Sequence, residues 1–158
     1  MNNKQIIQTV LDRYTRAYNN NELHQYHKQL REIDQQSKQD KAEARADMLN
    51  WLNNDAAHFG ERAGWILNGS YGYGPFYAAL QILNMSERAN KRAALFGMLA
   101  ALECRVNQRD ANAIYNKLTG AQQAALNAAI QKEIDDFIEE WRAELESQAQ
   151  KQDAEIGI

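Results

Sequence analysis

"TGAQQAALNAAIQKEIDDFIEEWRAEL", residues 119–145, is the stretch whose periodicity decides the fold. Leu126, Ile130, Ile134, Phe137, Trp141 and Leu145 step by four, four, three, four and four residues. That spacing lines one face of a helix, because such a helix turns about once every 3.6 residues. Thr119, followed three residues later by Gln122, fits a capping box, in which each side chain satisfies the other residue's backbone amide. The pattern predicts a helix over 120–149, roughly 45 Å long at about 1.5 Å per residue. Such a helix spans a domain of this size, so its apolar stripe needs a cover, either another long helix or a second copy of the chain. Phe137, Trp141 and Leu145 are therefore candidate partner contacts, and a homodimer is one expectation. "KQDAEIGI", residues 151–158, reads as a frayed tail.

Working outward, strand signals are nearly absent. β-Branched residues are few, while Ala, Gln, Glu, Leu and Arg, which favour helix, abound. Ile7, Val10, Leu11, Tyr14 and Tyr18 share one face of a first helix near 3–18, and Asn19–Asn21 mark its boundary. From Glu22 to Asn53 there is no Gly or Pro, which predicts a second long helix near 22–53 with a polar middle and a break, if any, near Ser37–Asp40. "NNDAAHFGERAGWILNG" predicts a helix starting at Asn54 or Asp55 and closed by Asn68–Gly69. Ser86 is expected to cap a further helix over Glu87–Val106, centred on the apolar run Ala93–Leu102. In it Ala93, Gly97 and Ala101 form a small-residue stripe suited to close helix approach. Asp110 is expected to cap a short helix ending near Leu118. The sum is an all-α, single-domain bundle of five to seven helices over residues 1–150.

Several kinds of chemistry find little support. The one cysteine, Cys104, forms no intramolecular disulfide and lies in the apolar run "MLAALECRV". His24 and His27 stand three apart, a metal-gripping spacing, but two imidazoles without a completing carboxylate make a weak site. His58 and Glu61 reverse the Glu-x-x-His order of helical di-iron proteins, and only once. The carboxylates Glu133, Asp135, Asp136, Glu139 and Glu140 lie off the apolar stripe as a solvated face. No catalytic residue, metal or cofactor is assigned. The longest apolar run has ten residues, against about 20 for a membrane span, and a cytoplasmic location is expected.

Two features point to partners. The loop "GSYGYGP", residues 69–75, gathers three glycines, two tyrosines and the only proline. Tyr71, Tyr73, Phe76 and Tyr77 either plug a corner between helices or present aromatic area to a partner. Charge is also uneven: residues 86–118 carry a net +3 and residues 119–158 a net −6. Pairing of neighbouring helices within the chain is the simplest account. The sharper one is a partner that reads one patch. The expected function is a non-catalytic protein-interaction or assembly module, an accessory or inhibitor-type protein docking on a larger partner. The alternative is a nucleic-acid-associated protein using Arg88, Lys91, Arg92, Arg105 and Arg109.

Overall fold

The computed structural model of the chain describes residues 1–17, 28, 38–86 and 88–156, and among these the only regular structure is helical. The elements are α1 (Asn3–Ala17), α2 (Lys38–Glu61), α3 (Ala63–Leu67), α4 (Tyr73–Leu83), α5 (Lys91–Cys104), α6 (Gln108–Lys117) and α7 (Gly120–Ile156). The all-α bundle read from the sequence is thus what the chain forms. The Asn19–Asn21 boundary, the His24–His27 pair, Tyr18 and most of the expected 22–53 helix before Lys38 lie outside the described residues.

Local sequence sets most of the boundaries. Gln122 N–H donates to Thr119 Oγ1 at 3.1 Å and Thr119 N–H to Gln122 Oε1 at 2.9 Å, so the capping box closes in both directions. Asp55 leaves helical geometry inside α2 (φ −157°, ψ 76°), and its Oδ1 accepts the His58 N–H at 3.0 Å. It caps the segment that follows, and α2 is two helices joined at that point. α3 ends in a Schellman closure. Gly69 takes φ 83°, its N–H donates to Ile66 O at 3.2 Å, and Ser70 N–H donates to Trp65 O at 2.9 Å. Pro75, third in α4, lacks one of the amide hydrogens that a helix start leaves unpaired anyway.

Three expected boundaries move. α5 begins at Lys91, because Asn90 and not Ser86 supplies the cap, accepting the Ala93 N–H at 3.1 Å. α6 is capped by Asn107, which accepts from the Asp110 N–H at 2.9 Å, so Asp110 lies inside the first turn. Residues 151–156, expected to fray, continue α7 as helix. No Gly or Pro interrupts the run after Gly120, and its Ala, Gln, Glu and Lys all tolerate helix well.

The core gathers at α5, where Leu95, Phe96, Met98, Leu99, Ala100 and Ala101 are buried, as Ala93–Leu102 predicted. Phe59 of α2 is wholly buried, with its ring 6.0 Å from Phe96 and edge-on to Trp51 at 4.9 Å. α7 packs most extensively on α2, and also on α3 and α1. Its stripe is consumed there: Leu126, Ile130, Ile134, Phe137 and Leu145 are all buried. Of the two covers expected for this face, another helix or a second copy, helices of the same chain lie on it, and Trp141 alone of the six keeps partial exposure.

The close approach of helix backbones is also not where the small-residue stripe pointed. A Cβ on Gly97 would meet only the Gln108 side chain, at an ordinary 3.5 Å. A Cβ on Gly60 would lie 2.8 Å from both Ala129 Cβ and Leu126 O. Gly60 is therefore what lets α2 and α7 approach.

Candidate functional site

Arg62 sits between α2 and α3, where its neighbours turn the chain. Its Nε donates to Glu103 Oε1 of α5 at 2.8 Å, with the two side chains only 20% and 12% exposed. Its guanidinium lies 4.0 Å from the Trp65 ring centre and 5.2 Å from that of Trp51. Tyr71 O–H donates to the same Glu103 oxygen. One carboxylate thus ties the 69–75 loop and the α2–α3 junction to the core helix, and one guanidinium braces two indoles.

This arrangement gives the loop an inward role. Tyr71 is anchored on Glu103, Phe76 is buried, and Gly69 lies against the Phe76 ring. Tyr77 is half-buried. Tyr73 opens α4, and its side chain falls outside the described set. The loop forms a corner between α3 and α4.

The outward aromatic is Trp65. It is 46% exposed, although Arg62 lies against its ring and Tyr71 stands 6.5 Å away. Beside it runs a groove of about 370 Å³ between α3 and α7, lined by Glu61, Trp65, Glu133, Asp136, Phe137 and Glu140 among others. Burial pushes the Glu133 carboxyl above its usual pKa; Lys132 opposes the shift, while Asp136 and Glu61 add to it. Asp136 pairs with Lys132 at 2.8 Å and Glu61 faces His58 at 3.4 Å, both in exposed pairs. Neither Glu133 nor Glu140 has an ion-pair partner among the described residues.

A second groove, of about 470 Å³, brings Asp40, Glu43, Asp47, Trp51, Cys104 and Arg105 together. Burial pushes the Cys104 thiol up to about 12, and Glu103 and Asp47 reinforce the effect against Arg62. A thiol held protonated this firmly is a poor nucleophile. The His58–Glu61 pair is more than half exposed on both sides, in contact with water. Among the described residues no three His, Cys, Asp or Glu side chains are placed to hold a metal ion, and no helix is long and apolar enough to cross a membrane.

The five basic candidates fall into two groups. Arg88, Lys91 and Arg92 stand at the start of α5, with Arg105 and Arg109 beyond its end. Fourteen residues of helix separate the groups by roughly 21 Å. Arg105 closes α5 in left-handed backbone geometry (φ 55°), its N–H on Ala101 O at 3.2 Å.

Among the described residues, no cation of 86–118 pairs with an acid of α7. The α7 ion pairs that form, Lys132–Asp136 and Arg142–Glu139, are local. Arg62, Glu103 and Trp65 were not singled out in the sequence. Arg62 and Trp65 stand three apart, one helical turn, which was a readable signal; Glu103, 41 residues further on, needed the fold. Comparison with protein-family models, with curated proteins and with solved structures finds no match to this chain.

Proposed function

We propose that this chain is a non-catalytic protein-interaction module that docks on a partner through the Trp65 face. One observation carries the reading: a tryptophan nearly half exposed yet packed against the Arg62 guanidinium, beside a groove rimmed with carboxylates. Interface energy concentrates in Trp, Tyr and Arg side chains that are ordered before binding, because little conformational entropy is then lost on contact. An accessory or inhibitor-type protein, working where molecules of the cytoplasm meet, needs this and no catalytic group.

The reading through nucleic acid draws less support. Its five cations are divided between two ends of α5, and the α7 carboxylates repel phosphate. The test is the size at which the protein travels in a native extract of its source. The wild type is expected in an assembly larger than its own mass. Trp65→Ala and the charge reversal Glu140→Lys, at an exposed position, are both expected to travel as free protein. Wild type travelling alone, or assemblies untouched by both changes, would refute the proposal; assemblies lost on nuclease treatment would transfer it to nucleic acid.

A further inference from the structure

The described residues include three large apolar side chains that are strongly exposed: Met1, Trp65 and Met85. Two of them lie near charge of opposite sign, part of which enters no ion pair among the described residues. Trp65 borders the groove edged by Glu61, Glu133, Asp136 and Glu140. Met85, 43% exposed, precedes Arg88, Lys91 and Arg92, whose side chains enter no ion pair among the described residues. That basic end also carries the start of α5, where the helix dipole adds positive potential. One face has an exposed methionine three to seven residues ahead of three cations, and the other an exposed tryptophan that carries Arg62 on its ring and borders a groove lined with carboxylates.

Resting on the interaction-module reading, we infer that the partner of the Trp65 groove is a second copy of this chain, which presents its Met85–Arg92 end. The contact is heterologous, since two different faces meet, so each copy has one face left to offer and assembly proceeds head to tail. Two observations favour this occupant. Among the described residues, the net +3 segment 86–118 and the net −6 segment 119–158 form no ion pairs with each other, so a neighbour can supply them. Each face also pairs its charge with an exposed apolar side chain, so the contact gains apolar burial at its centre and charge pairing at its rim. The covered α7 stripe takes no part.

Sedimentation velocity of the purified protein, over a thousandfold range of concentration and at low and high salt, tests this. Wild type should associate beyond the dimer as concentration rises, and salt should weaken the association because rim charges are screened. Arg88→Glu/Arg92→Glu inverts one face, and Glu133→Lys/Glu140→Lys inverts the other. Each double variant alone should stay monomeric, and an equimolar mixture should associate again: the intact groove of one variant meets the intact Met85 end of the other, and the two inverted faces, complementary in charge, carry assembly beyond that dimer. The four changed side chains lie at the surface or line the groove, and circular dichroism checks that each variant folds. Wild type monomeric throughout, or association that survives either inversion, or a mixture that does not recover, would overturn the inference. If a different protein is found on position 65 while the purified chain stays monomeric, the interaction-module reading stands and the second-copy inference falls.

Discussion

Replacing Arg62 with alanine removes more than a charge. The Nε–Glu103 contact at 2.8 Å joins side chains that are 20% and 12% exposed, so the carboxylate left behind is mostly out of water. Breaking a fully buried pair from one side costs about 3–5 kcal/mol. The residual exposure and the surviving Tyr71 hydroxyl bring this toward about 2 kcal/mol. Loss of the guanidinium from the Trp65 ring, 4.0 Å away, adds about 0.5–1 kcal/mol. The expected destabilisation is about 3 kcal/mol, or a fall in Tm of roughly 6–12 °C for a chain of this length. Urea denaturation followed by circular dichroism reads it. Tyr71→Phe should cost about 1 kcal/mol, and the double variant should depart from additivity by at least about 0.5 kcal/mol, since both donors end on one oxygen. An Arg62→Ala protein within about 0.5 kcal/mol of wild type, or strict additivity with Tyr71→Phe, would refute the idea that Glu103 organises this junction.

Three further outcomes follow from separate features. Gly60→Ala gains helix propensity but drives a Cβ to 2.8 Å from Ala129 Cβ and Leu126 O; we expect a net loss of about 1–3 kcal/mol by denaturant titration. Arg105→Gly relieves left-handed backbone at the end of α5 and should raise stability by about 1 kcal/mol, read as a higher Tm. Cys104, its thiol pushed up to about 12 from an ordinary 9.0, should alkylate roughly a thousandfold more slowly at pH 8 than in the unfolded chain. A raised thiol pKa means less thiolate, so the folded rate should keep climbing with pH above 9, where the unfolded rate levels off.

Much of this architecture is legible in residue order, for reasons that differ by element. The α7 stripe, the Thr119–Gln122 box and the Asn68–Gly69 closure depend on neighbours within a few residues, and local chemistry settles them. The start of α5 was misplaced because Ser86 and Asn90 can both cap, and the choice falls to Asn90 only where its Oδ1 meets the Ala93 amide. The small-residue stripe of α5 misled for a different reason: a glycine matters where another backbone arrives. Gly97 faces a flexible Gln108, while Gly60 faces Ala129 and the Leu126 carbonyl. For the candidate site, the glycine-rich loop drew attention to Tyr71, and the apolar stripe of α7 to Phe137. The fold turns both inward and leaves Trp65 outside, because Arg62 and Glu103, 41 residues apart, meet beneath it.

The most direct test of the central claim is photo-crosslinking from position 65 in the protein's own cell. A benzophenone side chain replaces Trp65 in one variant, and in a control it replaces the exposed Asn116 of α6. The account predicts discrete protein adducts from position 65 that are absent from position 116 and that weaken when Glu140→Lys is added. Equal labelling from both positions, or no protein adduct at position 65, would contradict it.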